Sequence, residues 1–144
     1  MGIVIDTSAL VAADRLAARD ATTLAAWGPL LEPIGNEPAV LPAIVYAELL
    51  VGVDLAGDTR RANARRARIE ALVAHAPVVD FDATIARVWA RLFAATHRAG
   101  LAIPANDLAV AATAIHFECA VLVGPLDEQH FRAIEGLQVR TLDV

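Results

Sequence analysis

Three carboxylates stand alone in apolar surroundings, and a single kind of chemistry accounts for all of them. Asp6 is the sole charged residue among the first thirteen and closes the β-branched run that starts after Gly2. Glu48 is the sole charge between Pro38 and Val53, and its helical neighbours at i−4, i−3, i+3 and i+7 are Ile44, Val45, Val51 and Leu55. Asp107 is the sole formal charge between Ala99 and Phe117, at the head of a stretch carrying Leu108, Val110, Ala111, Ala114 and Ile115. An unpaired buried carboxylate is costly, so each acid must find a partner or keep its proton. The nearest arginines in sequence are Arg15 and Arg19 for Asp6, Arg60 and Arg61 for Glu48, and Arg98 for Asp107, none on the same apolar segment. A helix cap at Asp6, a helix-dipole contact at Asp107 or a distant arginine at Glu48 satisfies one acid at a time. Convergence on one or two shared divalent cations satisfies all three, and an all-oxygen donor set suits Mg2+ or Mn2+.

The elements that must carry these acids alternate. Gly2–Ile5 reads as a buried parallel strand ending at Asp6, where open α/β sheets bind their ligands, followed by a helix capped by Thr7 or Ser8 over about Ala9–Ala18. A second helix is expected from Asp20 or Thr22 toward Leu31, with Leu24, Trp27 and Leu31 as its apolar stripe, before Pro33, Gly35, Asn36 and Pro38 interrupt the pattern. Ala39–Leu41 predicts a strand, Pro42 the first residue of a helix to about Leu55, and Gly57-Asp58-Thr59 separates that helix from an arginine-rich one running up to His75. Pro77–Asp80 predicts a third strand, and Asp82 or Thr84 opens a helix to Arg98 that Gly100 closes. A helix over about Asn106–Phe117, a strand at Ala120–Val123 and a weaker one within Leu137–Leu142 complete the order. Short apolar strands alternating with helices specify an α/β fold, three layers α/β/α with a short, mostly parallel central sheet.

Length and composition narrow the function. The 144 residues make one domain, 1–144, and with 57% hydrophobic and 20% charged residues the chain folds around a single core. Uncharged stretches reach only about ten residues, half of what a bilayer span needs, so no membrane is expected. The N-terminus lacks the basic and apolar regions of a signal peptide, and a cytoplasmic location is expected. The single cysteine, Cys119, excludes an internal disulfide and a cysteine cage for a metal. All 12 basic residues are arginines, which excludes lysine-dependent chemistry such as Schiff bases and P-loops. Cys119, though near His116, reads as core rather than as a nucleophile, Trp89 with Phe93 reads as core, and His130 with Asp127 reads as surface or substrate edge.

Three segments together resemble the PIN domain of VapC-type toxins. They are Ile3-Val4-Ile5-Asp6-Thr7-Ser8-Ala9-Leu10, then Tyr46-Ala47-Glu48-Leu49-Leu50-Val51-Gly52-Val53, then Asn106-Asp107-Leu108-Ala109-Val110-Ala111-Ala112-Thr113-Ala114. The resemblance covers essentially the whole chain, through the closing Asp127-Glu128-Gln129-His130-Phe131. It implies a metal-dependent endoribonuclease in which Asp6, Glu48, Asp107 and a fourth acid, Asp127, are catalytic and hold Mg2+ or Mn2+, with the Ser8 hydroxyl assisting cofactor binding. Metal-activated water would then hydrolyse an RNA phosphodiester. The same resemblance implies a VapB-like antitoxin as partner and a homodimer. One departure is visible. Similar proteins place Thr or Ser just before the fourth acid, whereas this chain reads Val123-Gly124-Pro125-Leu126. Whether Asp127 touches the cation directly, acts through water or only positions its loop stays open.

A net charge of −5 opposes an RNA partner at long range, but bound cations reverse the local sign, and arginines can supply the remainder. Arg61, Arg65 and Arg68 form one helical stripe, and Arg91 and Arg98 share a face on the later helix. Only 5% of residues are aromatic, so backbone contacts are favoured over base stacking. Two other readings fit the same residues: a catalytically silent protein-binding module of this fold, and a metal-dependent DNA or flap nuclease.

Overall fold

Ile3, Val4 and Ile5 carry branched side chains that suit an extended, doubly covered backbone. In a computed structural model of the chain they form β1 (Ile3–Ile5), with all three side chains fully buried. The structure describes residues 2–19 and 37–142. The other described elements are α1 (Thr7–Arg19), β2 (Ala39–Pro42), α2 (Ala43–Asp54), α3 (Thr59–His75), β3 (Val78–Val79), α4 (Ala83–Arg98), α5 (Ala105–His116), β4 (Ala120–Val123), α6 (Glu128–Arg132) and β5 (Val139–Thr141). The helix expected between Asp20 and Leu31, with Leu24 and Trp27, lies outside the described residues.

The strands lie in the order β3-β2-β1-β4-β5, and every described pairing is parallel. Val4 sits opposite Val40 on one side and Val121 on the other, so β1 is central and bonded along both edges. Right-handed crossovers put the helices that precede and follow the reversal of strand order on opposite faces, giving the expected three layers. α5 is the most deeply covered helix, buried without interruption from Leu108 to Ala114. Its alanines allow close approach to β1, β4 and α4, which a bulkier helix could not make.

Local signals set most boundaries. Asp82, rather than Thr84, caps α4 by accepting from the Ile85 N–H at 2.9 Å, and Asp58 caps α3 through the Arg61 N–H at 2.8 Å. Gly100, at φ +72°, ends α4: its N–H bonds the His97 carbonyl at 3.1 Å while Leu101 N–H bonds that of Thr96 at 2.9 Å. Pro42 stands just ahead of α2 rather than as its first residue, with φ −59° and ψ 144°. α1 starts at Thr7, earlier than Ala9, because Asp6 itself serves as the cap.

Phe93, expected in the core with Trp89, is instead 47% exposed. It stacks at 5.3 Å on Trp89, which is partly buried against the core as expected, and at 6.2 Å on His97 between ring centres, a row at i, i+4 and i+8 along α4. Cys119 is half-buried against the core and donates to the Phe117 carbonyl, whereas His116 meets the Phe117 ring edge-on. Among the described residues no helix is long and apolar enough to cross a membrane.

Candidate active site

Chain order reverses between β1 and β4, and the crevice at the carboxyl ends of those strands is where an open parallel sheet has room for a ligand. Asp6 leaves β1 at this point, its N–H bonded to the Leu122 carbonyl at 3.0 Å. Gly124 to Asp127 leaves β4 at the same edge. α5 leads into β4 and must therefore start at this edge, which brings Asp107 in its first turn to the crevice. α2 follows β2 away from the edge and carries Glu48 on its second turn. The result is a cleft of about 390 Å3 lined by Asp6, Glu48, Asp107 and Asp127, together with Thr7, Ser8, Arg15 and Leu126. All four acids expected from the sequence reach it.

Asp6 is 3% exposed, the most buried of the four. Its Oδ2 accepts the Ser8 N–H at 3.0 Å and also the Ser8 hydroxyl. Ser8 Oγ in turn accepts the Gly124 N–H at 2.9 Å, tying β1, α1 and the β4 exit together through one oxygen. Burial pushes the Asp6 carboxyl up to about 6; the two bonds from Ser8 oppose that shift, and the charges of Asp107 and Asp127 reinforce it. Ser8 thus fixes the orientation of Asp6 and partly stabilises its ionised form. Ser8→Ala removes that support and leaves the Gly124 N–H unpaired. Cleavage is expected to fall roughly 10- to 100-fold, with the acidic limb of the pH–rate profile moved to higher pH. An unchanged profile would show that Ser8 does not act through Asp6.

Glu48 accepts from Thr7 Oγ1 at 3.0 Å. Desolvation raises its pKa, Thr7 opposes the shift, and Asp107 and Asp127 add to it. The apolar face expected around Glu48 is open rather than covered: Glu48 is exposed, as are Val51 at 54% and Leu55 at 77%. Asp107 has a partner that the sequence spacing hid, His130, with Nδ1 2.7 Å from Oδ2. His130 therefore pairs with Asp107 and not with Asp127. Desolvation raises the Asp107 pKa first, His130 lowers it, and Asp127 raises it again. Asp127 stands at the head of α6 without making a side-chain cap, so capping does not explain its presence.

No described guanidinium clasps Asp6, Glu48 or Asp107; the one basic side chain among their contacts is the imidazole of His130. The arginine stripe of α3 is taken up elsewhere. Arg61 pairs with Asp58, Arg65 donates to the Gly52 carbonyl and Arg68 pairs with Asp14. The donor set is hard oxygen throughout, and burial first and neighbouring acids second raise three of the carboxyls, which is the chemistry that suits a divalent cation. Among the described residues no three carboxyl or imidazole groups are gathered tightly enough to enclose one as they stand. Glu48 is tied to Thr7 and Asp107 to His130 in this arrangement. The contacts of Thr7 with Glu48, His130 with Asp107 and Gly124 with Ser8 escaped sequence reasoning, which gave Thr7 as a helix cap and His130 as surface or substrate edge. Only Thr7 carried a local signal, the hydroxyl adjacent to the first acid.

Comparison with known proteins identifies the family. A ribonuclease VapC of Rickettsia bellii is 28% identical over 142 residues, covering 99% of this chain and 97% of that one. The structure of VapBC2 from Rickettsia felis, bound to a DNA fragment from its promoter, superposes with a TM-score of 0.76 at 23% identity, covering 99% of this chain and 100% of that one. FitAcB from Neisseria gonorrhoeae gives a TM-score of 0.70 at 25% identity over 95% of both chains. The family model described as PIN domain matches residues 3–137, a span that contains β1, the acids of the cleft and α6, and on that match the chain belongs to the PIN domain family.

Proposed function

We propose that this protein is the toxin of a toxin–antitoxin pair, a divalent-metal-dependent endoribonuclease of the VapC type that hydrolyses RNA phosphodiester bonds. The observation that carries this reading is the convergence of four carboxylates, from β1, α2, α5 and the exit of β4, on one cleft where none of them forms an ion pair with an arginine among the described residues. The resemblance to proteins named ribonuclease VapC favours RNA over DNA as substrate. Retention of all four acids argues against a silent binding module.

Asp6, Glu48, Asp107 and Asp127 would hold one or two cations, Mg2+ or Mn2+. Such a cation supplies Lewis acidity and offsets the charge of the phosphodiester. Asp6 presents its carboxylate in a fixed orientation because Ser8 occupies one of its oxygens and is itself held by Gly124. Thr7 and His130 do the same for Glu48 and Asp107. Relatives solved as VapBC assemblies support a VapB-like protein partner. A homodimer and a cytoplasmic site of action complete the proposal, the former tested by light scattering of the purified chain.

The test of the activity uses structured RNA, single-stranded RNA and DNA, each with Mg2+, Mn2+ or EDTA. Cleavage of RNA with either cation and none in EDTA is the expected result. Cleavage that survives EDTA refutes the metal role. No cleavage of any substrate, with normal growth on expression, favours the binding module.

A further inference from the structure

Four carboxylates make the cleft repel RNA at every point that a cation does not offset, so any fixed positive charge on its wall matters. Arg15 is the only basic residue lining the cleft among the described residues. Its position follows from the helical repeat. Thr7, Val11 and Arg15 recur at i, i+4 and i+8 and share one face of α1, the face turned to the cleft. Thr7 lies among the acids, and a rise of about 12 Å along the axis separates it from Arg15. Val11, 40% exposed, forms an apolar floor between them.

That separation keeps the guanidinium out of the carboxylate cluster. Arg15 is exposed, makes none of the ion pairs of the described residues, and does not contribute to the electrostatics of Asp6, Glu48 or Asp107. An arginine held within a strongly acidic cleft yet beyond reach of its acids has its planar donor fork available for an anion arriving along the cleft. None of the arginines of α3 lines the cleft, and Arg61, Arg65 and Arg68 are each bound to acceptors within the chain.

We propose that Arg15 grips a backbone phosphate flanking the scissile one and so sets where the RNA strand lies against the acids. It acts as a positioning residue for the substrate. This inference rests on the ribonuclease reading. A strand pinned at Arg15 runs along the α1 face over Val11 to the carboxylates, so backbone rather than base contacts fix its register.

The test compares the wild-type chain with Arg15→Gln, Arg15→Lys and, as a control outside the cleft, Arg60→Gln. KM and kcat are measured for one RNA across a series of KCl concentrations in Mn2+. Binding of the same RNA is followed by fluorescence anisotropy in the Asp107→Asn background, where cleavage does not interfere. Arg15→Gln is expected to raise KM roughly tenfold with kcat changed less, and to lower the salt slope of binding by about 0.7, the loss of one phosphate contact on a single strand. Arg15→Lys should restore the slope but only part of the affinity, since a point charge replaces a bidentate fork. Arg60→Gln should leave both unchanged. Wild-type cleavage with Arg15→Gln matching it in KM and in salt slope would overturn this proposal and leave the ribonuclease reading standing. A wild-type chain that neither binds nor cleaves RNA would overturn both.

Discussion

Asp6→Asn is expected to abolish RNA cleavage while making the metal-free protein more stable at neutral pH. The loss of activity should exceed about a hundredfold, since the substitution removes the most buried carboxylate of the cleft rather than a supporting group. The gain in stability follows from the raised Asp6 pKa, about 6 against an ordinary 3.8, which burial causes first and the neighbouring acids reinforce. Between those values the folded protein holds a proton that the unfolded chain releases. The stability contributed by the protonated carboxyl is thus complete below pH 3.8 and lost as pH rises through about 6. Above that pH the ionised carboxylate costs the metal-free fold at most about 3 kcal/mol, which asparagine does not incur. In EDTA at pH 7 the variant should melt roughly 5 °C higher than the wild type, and the difference should shrink toward pH 4. Mn2+ should reverse the order, because only the wild type gains stability from binding. Asp107→Asn should gain less, since it also deprives His130 of its partner. Were Asp6 a structural salt-bridge residue, the asparagine variant would be the less stable one in EDTA.

Gly124→Ala is expected to be the most damaging alanine substitution among the described glycines. A Cβ at this position would lie 2.3 Å from the Ser8 carbonyl oxygen, 2.9 Å from its carbon and 3.2 Å from the Ala12 Cβ. The first two are backbone atoms of α1, so the helix must move rather than a flexible side chain. Movement there stretches the Gly124 N–H bond to Ser8 Oγ and, through Ser8, displaces Asp6. A destabilisation of about 3 kcal/mol and a Tm lower by roughly 10 °C are expected, together with a loss of cleavage on the order of a hundredfold. Gly52→Ala is the control: nothing lies within 4 Å of its added Cβ, and alanine in the interior of α2 should raise stability by up to about 1 kcal/mol. Equal melting temperatures for the two variants would show that the β4 exit does not depend on close approach to α1.

Much of this fold is written locally. Apolar runs at Ile3–Ile5 and Ala120–Val123 announce strands that are in fact central and buried, and the caps at Asp58 and Asp82 open their helices where the sequence places them. Asp6, Glu48 and Asp107 were legible for a similar reason, since a lone charge in an apolar stretch is anomalous wherever it falls, whereas Asp127, beside Glu128, was indicated by the family resemblance alone. What stayed hidden depends on contacts between distant segments. His130 reaches Asp107 across 23 positions, and Gly124 meets Ser8 across 116. Neither spacing has a helical or strand period to reveal it. Burial was overestimated for Glu48 and Phe93 for the same cause: an apolar neighbourhood along a helix does not say whether another element covers that face. The α3 arginines looked like a nucleic-acid stripe until the surface supplied Asp14, Asp58 and the Gly52 carbonyl as their acceptors.

The claim on which the rest depends is that Asp6, Glu48, Asp107 and Asp127 form one cation site. Anomalous diffraction from crystals grown in Mn2+ measures this directly. A manganese peak within the cleft, with Asp6 and Asp107 drawn in as ligands and Glu48 and Asp127 turned toward it, is the predicted result. Crystals of a chain that cleaves RNA in the same Mn2+ buffer, yet show the metal bound only outside this cleft, would contradict it.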